Sequence, residues 1–162
     1  MRRIAILSIV SAILIFSNSH AQSQATHVEQ GSWVLSVDGY IAAILKRFEG
    51  YDPKRFIGEY GPLVNLDTKI VENQYSNMKD IICSFESKKV EVVERYITHL
   101  HKWIILSLKI KGKGIFEISG IDIGKDKSIL RIMMGDDYKE SMALIVRFEN
   151  DVIAEILVYN LE

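Results

Sequence analysis

The chain has a single cysteine, Cys83, and only two prolines, Pro53 and Pro62. One cysteine excludes an internal disulfide, so the fold must be held by its core. Ile81, Ile82 and Phe85 surround Cys83 in sequence and mark it as a small buried apolar residue. A disulfide-linked homodimer or a reactive thiol are the other uses of a lone cysteine. A basic excess is also missing: 20 Lys and Arg stand against 21 Asp and Glu, for a formal charge of −1. That balance carries no electrostatic footprint for nucleic acid or for an anionic membrane. No glycine-rich phosphate loop, zinc signature or Ser–His–Asp order stands out, so neither cofactor nor metal is expected. After Gly31 there is no repeat, low-complexity tract or linker.

Long apolar runs are absent except at the N-terminus. There Arg2 and Arg3 precede an uncharged apolar run over residues 4–16, then polar residues, then Ser19-His20-Ala21. A short positive region, an apolar stretch and small residues at −3 and −1 predict a cleavable secretory signal peptide over residues 1–21. The run is shorter than the roughly 20 residues that cross a bilayer. The mature chain is expected to start at Gln22, without a lipid anchor or a membrane span. Residues 22–31 read as a flexible N-terminus and residues 32–162 as one domain. Cleavage leaves 141 of the 162 residues and, without Arg2 and Arg3, a charge of −3. Export without disulfides points to a bacterial periplasmic or secreted protein.

The domain divides by period. Residues 32–48 predict a first helix, with Trp33, Val37, Tyr40, Ile41, Ile44, Leu45 and Phe48 on one stripe. Asp52-Pro53 caps a short second helix that ends by Gly58, Gly61 and Pro62. Residues 63–70 fit either a strand or an irregular connection. Residues 73–86 predict a third helix, with Tyr75, Met78, Ile82 and Phe85 on one face. Beyond that the period is two, and strands are expected at 90–97, 102–111, 115–123, 128–134, 142–149 and 152–160. Asn150-Asp151 joins the last two as a hairpin. Two or three helices ahead of five or six mainly antiparallel strands predict an α+β fold, with the helices packed on one face of a curved, cone-like sheet.

That order, and the terminal run from Ala143 through Arg147-Phe148-Glu149 to Tyr159, resembles the nuclear transport factor 2-like (SnoaL-like, cystatin-like cone) superfamily. His101-Lys102-Trp103-Ile104 is similar to the entry to that family's long central strand. The chain departs from the family in placing Asn150-Asp151 where members commonly place a glycine, and it lacks a Trp- and acid-rich strand after the second helix. The resemblance implies a cone whose open end forms a pocket. It implies enzymes, carriers, secretion scaffolds and partner-binding domains alike, so it does not fix a function.

Ketosteroid-isomerase-like members use a helix tyrosine and two acids, and Tyr40, Asp67 and Asp122 are the candidates for that chemistry. The preferred expectation is the plainer one, that Asp122 points to solvent and Tyr40 is a rim or core aromatic. His99 and His101 would share one side of a strand, but no third ligand follows at a metal-binding spacing. They read better as an exposed strand end, or as a polar patch that a partner recognises together with Trp103 and with Tyr138 of the acidic loop around Asp136, Asp137 and Glu140. Lys109, Lys111, Lys113, Lys125 and Lys127 read as edge protection or a contact for an acidic partner. The function expected is that of an exported non-catalytic binding domain engaging a protein partner. A periplasmic immunity protein against a delivered toxin and a secretion-system accessory factor are two forms of it. The alternative is a SnoaL-like small-molecule enzyme or carrier, with a pocket lined by Tyr40, Trp103 and apolar sheet residues.

Overall fold

A computed structural model describes residues 27–28, 32–33, 35–74 and 76–161, with side chains from Leu35 onward. The expected signal peptide, the rest of the N-terminal segment, the Trp33 side chain and Tyr75 lie outside the described residues. His27–Val28 (β1) and Ser32–Trp33 (β2) pair as a two-residue ribbon.

The first helix, α1 (Val37–Arg47), starts later than the apolar stripe predicted, because Ser36 caps it: its hydroxyl accepts the Gly39 N–H at 3.0 Å. Lys46 and Arg47 occupy its last turn, where cations suit the dipole. Gly50, at φ +72°, turns the chain into α2 (Pro53–Tyr60). Asp52 caps α2 by accepting the Arg55 N–H at 2.8 Å, and Pro53 opens the first turn. The two helices bury Tyr40, Ile44, Phe48 and Phe56. Phe48 stacks on Phe56 at 5.6 Å, and Phe56 meets Phe85 of the sheet at 6.4 Å. These aromatic contacts fasten the helical layer to the strands.

The sheet has six strands in the order β3-β4-β5-β6-β8-β7, every neighbouring pair antiparallel. Its members are β3 (Leu63–Glu72), β4 (Lys79–Ser87), β5 (Val90–Ile97), β6 (Lys102–Ile110), β7 (Leu144–Glu149) and β8 (Val152–Tyr159). Phe85, Val92, Leu108, Ile110, Ile156 and Val158 are buried on successive strands and build one core with the helices. Glu86, Glu91 and Lys109 take alternate positions, where Lys111 bridges Glu86 at 3.2 Å and Glu91 at 2.9 Å. Three of the lysines read as edge protection are held in ion pairs: Lys109 with Glu91, Lys111 with Glu86 and Glu91, and Lys127 with Asp151. From β6 the chain crosses residues 111–127, forms α3 (Ser128–Met134), reaches the edge at β7 and returns inward as β8.

Three elements differ from the sequence expectation. The third helix expected at 73–86 is strand β4, and the helix count before the sheet is two. Ile81, Cys83 and Phe85 serve a period of two as well as Met78, Ile82 and Phe85 serve a helix, and pairing with β3 on one side and β5 on the other decides between them. Residues 115–123 form no strand; positive φ at Gly114, Ser119, Gly120 and Gly124 breaks the run, leaving one bridge between Ile118 and Ile121. Residues 128–134 are the third helix, not a strand. Asp126 accepts the Ser128 N–H at 2.8 Å, and Leu130 and Met134, one turn apart, are the buried pair. The ambiguous residues 63–70 are strand, extending to Glu72. The terminal hairpin is as expected, with Asn150 and Asp151 both at positive φ (50° and 64°).

Candidate functional site

Tyr40 and Asp122 come together; Asp67 does not join them. Tyr40 projects from α1 into the core and is fully buried, edge-on to Phe116 at 5.8 Å. Its hydroxyl has no hydrogen-bond partner among the described residues. Burial, and then the negative charge of Asp122, push its ionisation above the ordinary tyrosine range. Asp122 is buried in the loop after β6, where its carboxylate accepts the Gly114 N–H at 3.0 Å and the Ile123 N–H at 2.7 Å. Those bonds make it a clamp on residues 112–124. Asp67 is exposed on β3, across β4 and β5 from this loop, and lies 3.8 Å from Lys69.

His99 and His101 are not strand neighbours on one side. Strand β5 ends at Ile97, Thr98–Leu100 is one 3₁₀ turn, and His101 takes φ 51° to enter β6. The rings go separate ways: His99 Nδ1 lies 3.3 Å from Asn73, and His101 Nδ1 lies 3.3 Å from the Tyr96 hydroxyl. The described residues contain no cluster of three or more His, Cys, Asp or Glu able to hold a metal. Tyr138 is half-buried against the core, with Lys139 over its ring at 5.7 Å. Trp103 is half-buried on β6, packed on Tyr96 at 5.2 Å.

Trp103 also lines an open groove of about 640 Å³ between α1 and the sheet. Ile41, Ala42 and Leu45 form its helical wall, Phe48 and Tyr51 one end, and Trp103, Ile105, Tyr159 and Leu161 the rest. Its charged lining is mixed: Asp38, Lys46, Glu49 and Lys102, with Lys102 3.8 Å from Glu49. Tyr40, Asp67 and Asp122 are not among the lining residues.

Glu94 was not singled out by sequence, although it stands where Val90 and Val92 predict another apolar residue. It lies at a bulge in β5, opposite Cys83 of β4 and Ile105 of β6, and is 1 % exposed. Its Oε1 has no partner among the described residues. Burial, and then the charge of Asp52, push its ionisation up to about 8. Glu94 is therefore mostly neutral at pH 7. The Cys83 thiol beside it is pushed up by burial, with the charges of Glu94 and Asp67 adding to that. Asp80 is the second overlooked acid. It is enclosed but fully paired, to Arg95 at 2.7 Å, the Thr98 N–H at 3.0 Å and Asn73 at 2.9 Å. Asp80 fastens the β3–β4 turn to the β5–β6 turn.

Among the described strands of the sheet, β3 is the most exposed. It is a ten-residue edge strand, exposed along nearly its whole length, and among the described residues it pairs with β4 alone. Leu66 and Ile70 lie opposite Phe85 and Ile81, on the face the helices cover further in, yet Ile70 is 69 % exposed.

No helix among the described residues is long and apolar enough to cross a membrane. Compared with known proteins, the chain matches no family model, no curated protein and no solved structure.

Proposed function

We propose that the protein is an exported, non-catalytic binding domain that offers strand β3 to a protein partner. The observation that carries this reading is the state of that strand. Edge strands are usually kept short, or broken by proline, bulges or several lysines, because their free N–H and C=O groups template further pairing. At ten residues β3 is longer than the usual five or six. It has no proline, its one lysine is Lys69, and its irregularity is confined to Leu63–Asn65 at its start. Leu63, Val64, Leu66 and Ile70 are exposed along it. Such a strand gives a partner main-chain hydrogen bonds for affinity and side chains for specificity. The buried acids and phenol support the non-catalytic half of the reading. Asp122 is occupied by backbone amides, and Tyr40 and Glu94 are enclosed, so none of these three is open to a substrate.

The N-terminal pattern of Arg2-Arg3, an apolar run and Ser19-His20-Ala21 supports export, and the periplasm is the compartment proposed. Neutralising a delivered toxin or serving a secretion apparatus are the two roles that suit such a domain. The test is crosslinking in the native compartment, followed by the same experiment on Leu66→Lys with Ile70→Lys. A protein crosslinked at β3 and lost in the variant is the expected result. The absence of any crosslinked protein, a second copy included, refutes the reading.

The groove favours a second reading, a carrier of a small apolar molecule. Its volume suits a ligand of modest size. Titrating apolar fluorescent ligands against the native chain and Ala42→Trp tests it. Binding that persists when the groove is filled places the ligand elsewhere and removes this reading.

A further inference from the structure

We infer that the partner of β3 is a second copy of this chain, paired antiparallel about a two-fold axis through Thr68; this rests on the reading of β3 as a contact strand. The inference comes from what each symmetric register places face to face. In an antiparallel pair, directly opposed residues lie on the same face of the sheet. With the axis at Thr68, Asp67 of each copy faces Lys69 of the other, so both charges are matched twice. In that register Leu66 of each copy faces Ile70 of the other, and Thr68 faces itself. The apolar pairs fall on the helix-side face and the charged pairs on the opposite face, following the β3–β4 register.

No neighbouring register does this. An axis at Asp67 or at Lys69 sets like charges directly against each other, which is destabilising. An axis at Leu66 opposes Lys69 to Leu63, and an axis at Ile70 opposes Thr68 to Glu72. Within one chain Lys69 lies 3.8 Å from Asp67 on the open edge, so both charges are already drawn to one place. Pairing about Thr68 would complete a four-charge cluster and cover Leu66 and Ile70. It also closes the edge that the chain leaves unprotected and joins the two sheets into one.

The experiment is a charge swap read by mass. The protein, produced from all 162 residues and purified from the compartment where it accumulates, is measured by sedimentation equilibrium up to about 100 µM, spanning the weak-dimer range. The native chain is expected at twice the chain mass. Asp67→Lys alone and Lys69→Asp alone each set like charges together and are expected at the mass of one chain, with unchanged circular dichroism. Asp67→Lys combined with Lys69→Asp restores opposite charges and is expected to restore the dimer. In a Cys83→Ala background, which removes the neighbouring thiol, Thr68→Cys should crosslink across the axis on oxidation, whereas Leu66→Cys should not.

A native chain of single mass, or single variants as dimeric as the native chain, overturns the inference. The same variants separate that failure from failure of the binding reading. If the native chain is monomeric and Lys69→Asp abolishes a crosslink to a different protein, β3 remains a contact strand and only the second copy is lost. If the native chain is monomeric and no crosslink responds to β3 substitutions, both are lost.

Discussion

Replacing Glu94 by Gln should make the protein's stability less sensitive to pH in one definite window. The ordinary glutamate value of 4.5 rises to about 8 in the folded chain, through burial first and the Asp52 charge second. The folded state thus holds this proton more tightly than the unfolded state does. Stability from this group is complete below pH 4.5 and is lost as pH rises toward 8. At about 1.4 kcal/mol per pH unit, charging Glu94 costs about 5 kcal/mol over the whole window, of which about 3 kcal/mol has gone by pH 7. Against a typical domain stability of about 5–15 kcal/mol, that is a large fraction. Gln resembles the protonated acid in shape and cannot lose the proton. The two proteins should therefore be about equally stable at pH 5, and Glu94→Gln should be the more stable by several kcal/mol at pH 8.5.

Urea unfolding followed by tryptophan fluorescence at half-unit steps from pH 5 to 8.5 measures the difference. Acids held below their ordinary values, Asp80, Glu91 and Asp126, change protonation below this window and cancel between the two proteins. A carbon-13 titration of the Glu94 carboxyl gives the midpoint directly. A stability difference flat to about 0.5 kcal/mol over the window would refute the reasoning, since an uncompensated buried acid must couple folding to its proton.

Two further outcomes test the fold around the site. Asp122→Ala removes the acceptor of the Gly114 and Ile123 N–H groups and should cost about 1.5–3 kcal/mol by urea midpoint, with faster amide exchange confined to residues 112–124. Asp151→Gly relieves one of the two positive-φ positions of the terminal turn at a side chain that is mostly exposed. It should raise the midpoint by a few tenths to about 1 kcal/mol, offset in part by loss of the Lys127 contact, and an unchanged or lower midpoint would count against the turn assignment.

Where local chemistry and tertiary position agreed, the sequence was readable. Asp52-Pro53 caps a helix in any context, and Asn150-Asp151 between two alternating runs makes a hairpin through contacts a few residues apart. Strand β4 failed that test because its apolar residues satisfy both periods; only β3 and β5, brought alongside from either direction, choose between them. The segment 128–134 failed differently. Ile129, Leu130, Ile132, Met133 and Met134 crowd seven positions without revealing that Leu130 and Met134 are buried while Ile132 is exposed. Candidate residues show the same division. Asp122 could be picked out as an acid among apolar neighbours, but its amide partners are formed by a loop conformation that no spacing encodes.

Glu94 and β3 are the features that stability does not explain. A natural chain tends to agree with itself at every level, and departures concentrate where function imposes them. Charging a buried carboxyl that has no partner costs free energy that Gln, which cannot ionise, does not incur, and a long bare edge invites pairing that two more lysines would prevent. Tyr40 beside Asp122 is the instructive contrast. An acid and a phenol at close quarters have the ingredients of proton-transfer chemistry, but both are sealed from solvent and the acid is already engaged. Residue type and proximity are therefore insufficient, and access decides. By that criterion β3, exposed along nearly its whole length, is open to contact where the buried acids are not.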